Sequence, residues 1–354
     1  MKKILKQVAG IDVAQNELVV CLGRMYDDLR LELYNHRTFP NTSKGFMSLL
    51  EWSGKLSDSV IGVRFVMEAT GVYHESLAYF LAEQGNKVSI ILPNKVSNYS
   101  RTLDVKTITD KTSSEAIARF GLERQLDNWQ PPKGIYKILK QLTREREQIV
   151  AIRSAVKNQL HAELSEAQPN KTSMARIKKH IAFLDKPDKE VKDELARLLK
   201  EDPAMKKVVI ILCSAPGIGL LTAATILGET NGFELIRNKR QLVSYAGLDV
   251  IEKQSGTSIK GKQRISKKGN KYLRKAMHLP ALAAIRSNDE RFKAIFARIV
   301  AKHGIKMKAA VAVQRKLLEM VFTLYKNETM YDKSYFKPEE IGTKKNRELV
   351  ELKS

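Results

Sequence analysis

At 354 residues, 43% of them hydrophobic, the chain is long enough for two or three domains that each bury a core. Its two cysteines, Cys21 and Cys213, exclude a disulfide framework or a zinc knuckle and suit a reducing compartment. The formal charge of +23 is uneven: residues 1–130 hold 16 Lys and Arg against 15 Asp and Glu, so +22 of it lies beyond them. A solubilising surface would not produce that asymmetry, which points to a near-neutral unit joined to phosphate-gripping modules.

Lys2 and Lys3 open the chain, but Lys6 and Gln7 interrupt any apolar run. With no later stretch of spanning length, a cytoplasmic protein without membrane contact is expected. Residues 7–13, 17–23 and 30–36 are short, β-rich and separated by turn-like breaks, which predicts an antiparallel meander. Helical spacing follows over 42–56, a buried strand over 60–67, a helix over 74–85, a strand over 87–92 and a helix over 110–127. The order βββαβαβα implies a mixed α/β sheet with helices on its faces, and it matches the RNase H-like fold with Asp12 on the central strand.

Trp129, Gln130, Pro131 and Pro132 close that unit, because consecutive prolines cannot continue a helix. The expected domains are therefore 1–130, a helical linker over 131–204, a mostly helical C-terminal domain over 205–330 and a charged tail over 331–354. In the linker, Ile135, Ile138, Leu142, Ile149, Ile152, Val156, Leu160 and Leu164 form an amphipathic stripe approximating heptads, with Glu145 as a flaw. A second helix is read over Lys189–Lys200, and the stripe fits a hairpin within the chain or a coiled coil between chains.

Three carboxylates fall where a metal-dependent nucleic-acid enzyme needs them: Asp12 in the first strand, Glu68 ending the fourth, and Asp110 opening a helix. Magnesium or manganese takes oxygen ligands and leaves positions for substrate phosphate oxygens and water. Singly, each acid has a plain reading as a strand-end, surface or helix-capping residue. Their joint placement ahead of a basic region favours a metal site. His74 and His161 lack partners at ligand spacing and are read as structural or surface residues.

Farther on, Ser214-Ala215-Pro216-Gly217-Ile218-Gly219 precedes a helix of small residues. Gly217 and Gly219 would let backbone amides approach a phosphate, although a plain helix connection also fits. Residues 252–275 hold nine Lys and Arg, among them Lys260, Lys262, Arg264, Lys267, Lys268, Lys271, Arg274 and Lys275, against one Glu. That segment reads as mobile and phosphate-seeking. Ser255 lies within it, and by composition alone a serine there is a bystander.

Several stretches together resemble the DEDD insertion-sequence transposases, the bridge-RNA-guided recombinases. These are Gly10-Ile11-Asp12-Val13, Met67-Glu68-Ala69-Thr70-Gly71-Val72-Tyr73, Thr109-Asp110-Lys111 leading to Ala116-Ile117-Ala118, Pro216-Gly217-Ile218-Gly219, Tyr245-Ala246-Gly247-Leu248, Gln254-Ser255-Gly256, and Ser266-Lys267-Lys268-Gly269-Asn270 with Leu273-Arg274-Lys275. The resemblance implies a resolvase-type RNase H-like domain, a coiled-coil linker and a C-terminal transposase domain. It implies Asp12, Glu68 and Asp110 as catalytic metal ligands, and Ser255 as a nucleophile forming a covalent phosphoserine with DNA. It further implies donor and target DNA and a guide RNA as partners, a homodimer assembling to a tetramer with composite active sites, and a nucleoid-associated location. One position departs from the pattern: where the family has a fourth acid three residues after the third, this chain has Ser113. Glu115 lies about 140° around a helix from Asp110 and is a poor substitute, while Asp104 is another candidate. A junction-resolving endonuclease, which needs no serine, and a catalytically decayed nucleic-acid-binding protein are the alternative readings.

Overall fold

The computed structural model describes residues 3–69, 71–103, 107, 109–234, 236–252, 254–255, 259–261, 264–287 and 289–334. Its contacts form two compact units, residues 1–131 and 132–354.

The N-terminal unit opens with β1 (Ile4–Val13), β2 (Glu17–Tyr26) and β3 (Leu31–Pro40), continues through α1 (Ser43–Leu56), β4 (Arg64–Glu68), α2 (Glu75–Glu83) and β5 (Lys87–Ile91), and ends with α3 (Pro93–Ser100) and α4 (Asp110–Glu123). Strand order is β3-β2-β1-β4-β5, with β1 to β3 an antiparallel meander and β4 and β5 parallel to β1. The mixed α/β sheet expected from the sequence is present, and β1 is its central strand. Beyond small shifts at strand and helix ends, two differences matter for the site. Ser59 to Ile61 form a turn and Val60 is 92% exposed, so β4 starts only at Arg64. The helix α3 has no counterpart in the expected order; Pro93 starts it, and only Val96 and Tyr99 are buried along it.

Side chains alternate across a strand, so each face of the sheet has its own core. One side collects Ala9, Ile11, Val13, Phe65, Met67 and Val88 against Phe46, Leu49, Leu77 and Leu81 of α1 and α2. The other joins Val8, Cys21, Val66 and Ile91 to Val96, Ile117, Ala118 and Leu122 of α3 and α4. By the same period of two, Gly10 and Asp12 share the face of Val8, and Glu68 shares that of Val66. Both acids therefore belong to the α3/α4 side.

Two glycines set how closely α4 lies on that face. A Cβ at Gly10 would stand 2.3 Å from the Ala118 amide nitrogen and 2.5 Å from the Ser114 carbonyl oxygen. A Cβ at Gly121 would meet the methyls of Val8 and Val66 at 2.9 and 3.0 Å. The helix backbone thus rests directly on β1, which brings the first turn of α4 to the strand end that carries Asp12.

The second unit begins with the long helices α5 (Gly134–Leu164) and α6 (Lys171–Glu201), which pack on each other, followed by α7 (Pro203–Cys213), α8 (Leu220–Thr230) and α9 (Lys239–Tyr245). Four two-residue strands, β6 (Val250–Ile251), β7 (Gln254–Ser255), β8 (Ile259–Lys260) and β9 (Arg264–Ile265), form two antiparallel ladders, β6 with β9 and β7 with β8. The helices α10 (Lys271–Ala276), α11 (His278–Arg286), α12 (Glu290–His303) and α13 (Lys306–Asn327) complete it. The second linker helix starts 18 residues before its expected position, because Asn170 caps it and Pro187 is accommodated inside. Proline removes one backbone donor, and the carbonyl it frees belongs to the exposed Phe183.

The stripe on α5 is divided. Tyr136, Leu139 and Leu142 join the large core of α7 to α13, whereas Val156 packs with Ile177 and Leu184 of α6. At Gly228 a Cβ would stand 2.7 Å from the Lys140 amide, so α5 and α8 cross with backbones nearly touching. No helix among the described residues is long and apolar enough to cross a membrane.

Candidate active site

Asp12 stands one residue from the end of β1, half-buried, and Glu68 is the last residue of β4. The parallel register ends with Ile11 opposite Met67, so the two acids are the next residues along neighbouring strands. Asp110 opens α4 without capping it. Thr109 is the N-cap; its hydroxyl accepts from the Thr112 amide at 3.2 Å while the Thr109 amide donates to the Thr112 hydroxyl at 2.9 Å. That reciprocal box fixes the first turn and frees the Asp110 carboxylate, whose charge at a helix N-terminus is favourable.

The acids act on one another. Burial, then the negative charges of Asp110 and Glu68, push the Asp12 carboxyl up to about 6, against hydrogen bonds from the Val13 amide and the Ser113 hydroxyl. Ser113, which occupies the position of the absent fourth acid, thus donates to Asp12. Glu115 faces elsewhere, with its Oε1 3.0 Å from Nε2 of His36 on β3. Asp104 lies outside the described residues.

Asp12 and Glu68 line a cleft of about 720 Å³ together with Thr112 and Ser113 of α4, and α3 with the residues following it builds the opposite wall through Asn94, Ser97, Ser100, Arg101 and Leu103. Sequence reasoning missed this wall, since α3 carries only two buried apolar residues. Arg101 is the one cation among the described residues that line the cleft.

Among the described residues no three His, Cys, Asp or Glu side chains stand close enough to hold a metal ion together. The acids nevertheless suit a hard divalent cation in chemistry and in charge: they are oxygen donors, and Asp12 is held in a surplus of negative field. To hold one ion between them, the three carboxylates would have to turn toward it.

In the second unit several of the quoted motifs converge on a buried acid. The Glu229 side chain is fully buried and takes a fork from Arg144, Nε to Oε1 at 2.7 Å and Nη2 to Oε2 at 2.9 Å. The Asn270 amide donates to Oε2 at 2.6 Å, and the Tyr245 hydroxyl donates to the Glu229 carbonyl at 2.7 Å. The Arg144 guanidinium also lies 4.5 Å over the Tyr272 ring. Gly247, at φ +66°, and Gly269 let the Tyr245-Ala246-Gly247 and Lys268-Gly269-Asn270 segments touch, since a Cβ at Gly269 would sit 2.4 Å from the Tyr245 carbonyl.

This framework employs part of the basic segment. Arg274 Nη1 donates to the Ala246 carbonyl at 2.8 Å, Lys275 pairs with Glu147, and Lys271 Nζ lies 5.1 Å from the Tyr272 ring centre. Arg264, Lys267 and Lys268 are exposed. Gly217 adopts φ +79°, and a Cβ there would meet the Pro280 carbonyl at 2.4 Å, whereas Gly219 is open and caps α8. Ser255 lies in β7 opposite Ile259, and Lys260 in β8 opposite Gln254; for both, only the backbone is described. Lys262 lies outside the described residues.

Residues 9–169 match the transposase family model DEDD_Tnp_IS110, and residues 210–297 match that of the Transposase IS116/IS110/IS902 family. The chain is 27% identical over 328 residues to the Pilin gene-inverting protein of Moraxella bovis, covering 93% of this chain and 98% of that one. It is 31% identical over 122 residues to the Insertion element IS110 uncharacterized 43.6 kDa protein of Streptomyces coelicolor, 34% of this chain and 30% of that one. Among solved structures it is similar to T. thermophilus RuvC in complex with Holliday junction substrate, at 13% identity over 35% of this chain and 99% of that one, with a TM-score of 0.26. By its family matches the protein is a DNA transposase, an enzyme that recombines DNA. The chain belongs to the IS110 family of DEDD transposases.

Proposed function

We propose that this transposase cuts and rejoins DNA under the guidance of a structured RNA encoded by its element, using the acids of the N-terminal unit together with Ser255. The observation that carries the acid half is the raising of the Asp12 carboxyl to about 6 by its burial and then by the charges of Asp110 and Glu68, beside a cleft that Asp12 and Glu68 line. Such a cluster persists at a functional site because substrate and cation relieve it. When bound, magnesium or manganese supplies polarisation of the scissile phosphate and neutralises charge on the departing sugar oxygen.

The chain's own groups do the rest. The Ser113 hydroxyl and the Val13 amide hold Asp12 in orientation, a task the fourth acid's position performs here through a neutral donor. Arg101 faces the phosphate from the other wall. Ser255 Oγ attacks phosphorus, so an Oγ–P bond forms as a P–O bond to the sugar breaks; the serine proton leaves to a base, and the sugar oxygen collects a proton. Exposed Arg264, Lys267 and Lys268, with Lys260 and Lys262 on the same segment, would balance the phosphorane charge and grip flanking phosphates. Protomers would pair as dimers and then a tetramer.

Purified protein with its RNA and both DNA partners tests this reading. Asp12→Ala and Ser255→Ala are each expected to abolish recombination while leaving DNA and RNA binding within about twofold. Wild-type protein should also yield a covalent protein–DNA adduct that Ser255→Ala does not. Recombination that persists in either variant refutes the role given to that residue, and cleavage without an adduct favours a water-using junction endonuclease.

A further inference from the structure

The sheet of the N-terminal unit is electrically two-ended. Its acids occupy the C-terminal ends of β1 and β4; at the opposite ends a cavity of about 250 Å³ is walled by Lys6, Arg64, Lys87 and Arg124. No Asp or Glu lines it among the described residues. Strand register delivers three of these cations to one face. Arg64 pairs with Val8 on one side and Lys87 on the other, and Lys6 precedes Val8 by two residues. Arg124 comes from the end of α4, which covers that face.

Like charges directly opposite on paired strands are destabilising, so Arg64 beside Lys87 is an arrangement that stability does not favour. The hydrogen-bond partners of half-buried Arg64 and Lys6 do not relieve it. Arg64 Nη1 donates to Ser89 Oγ at 2.9 Å and Asn128 Oδ1 at 2.7 Å, while Lys6 Nζ donates to the Leu122 and Arg124 carbonyls at 3.0 Å each. All are neutral acceptors. Among the described residues none of the four cations forms a salt bridge with a carboxylate, and burial with the charge of Arg64 lowers the Lys6 ammonium below the usual lysine value. The guanidinium and ammonium groups are held in place by neutral atoms with their charge uncompensated, which is what an anion site requires before its ligand arrives.

We propose that this cavity binds a backbone phosphodiester of nucleic acid, giving the N-terminal unit a second, non-catalytic grip at the end of the sheet remote from its acids. The proposal rests on the reading of that unit as a nucleic-acid enzyme. Exposed Lys87 and Arg124 at the rim continue the positive surface outward, so a strand seated on Arg64 meets further cations, whereas a free anion would use only the interior. Lys6 caps the final carbonyls of α4, so the informative variants leave it in place.

The test compares full-length wild type, Arg64→Gln with Lys87→Gln, and the charge-conserving Arg64→Lys with Lys87→Arg. Each is titrated across salt concentrations with a labelled single-stranded RNA and a labelled DNA duplex of equal length. Each phosphate contact contributes about 0.9 to the logarithmic salt slope on duplex DNA and about 0.7 on a single strand. The neutral pair is expected to lose about one contact's worth of slope on one of the probes, that probe identifying the strand held, while the charge-conserving pair keeps it. Unchanged slopes on both probes overturn the proposal, as does an equal loss in the charge-conserving pair, which would mark a packing effect. Unchanged slopes with inorganic phosphate raising the melting temperature of wild type alone would assign the cavity to a free anion and overturn it too. These slopes are read without strand cleavage, so they stand or fall separately from the Asp12→Ala recombination test.

Discussion

Asp12 and Glu229 are both carboxylates withdrawn from water, and the chain treats them in opposite ways. Glu229 is answered in full by a guanidinium fork and an amide, within a framework that ties α5, α8, α9 and α10 together. Asp12 is surrounded by two further acids and relieved only by a hydroxyl and a backbone amide. Satisfied burial makes a keystone; unsatisfied burial makes a site that waits for positive charge.

This contrast can be broken by substitution. The largest effect is expected at Glu229: Glu229→Ala strands Arg144 without its partner and should cost about 3–5 kcal/mol, read as a large fall in the midpoint of denaturant unfolding. A cost below 1 kcal/mol would show that Glu229 is no keystone. Gly10→Ala, which drives a methyl into the Ala118 amide, should cost roughly 1–3 kcal/mol through overpacking and lower recombination, because α4 carries Asp110 and Ser113 away from Asp12. Full recombination by that variant would show that the close approach is dispensable.

Asp12→Asn should do the reverse of Glu229→Ala, raising stability of the cation-free protein by on the order of 1 kcal/mol at pH 7 while eliminating recombination. The sign follows from the raised folded-state value. Protonated Asp12 stabilises the fold fully below about pH 4, and that contribution is lost as pH climbs through about 6. Asparagine does not titrate, so the stability gap between variant and wild type should widen from pH 4 to 7 and shrink when magnesium is added. A gap that is flat with pH would remove Asp12 from the strained cluster. The subtlest change is Ser113→Asp, which replaces a donor by a fourth acid; it should lower the melting temperature without cation by a degree or two and raise the gain from added magnesium. An unaltered response to magnesium would mean that position 113 does not face the ion.

The N-terminal sheet was legible because alternation and β-branched runs report directly on two-faced burial, and the placement of Asp12, Glu68 and Asp110 at element ends followed from it. The wall opposite them was hidden, since Pro93 to Ser100 bury only Val96 and Tyr99 and show no periodic stripe. The early start of α6 was concealed by Pro187, a residue that ordinarily breaks a helix interior. Glu229 gave no signal at all: a single acid in an apolar helix acquires meaning only when Arg144 arrives from 85 residues upstream. Charge counting also cannot separate cations already engaged, such as Arg274 and Lys275, from exposed ones such as Lys267 and Lys268.

The contact at Gly10 has a mechanical corollary. With only hydrogen atoms between the α4 backbone and β1, helix and strand are splinted together at this point. A displacement of α4 would carry β1 with it, so the turn bearing Asp110 and Ser113 shifts only in company with the strand end bearing Asp12, and adjustment among the acids is left to side-chain rotation.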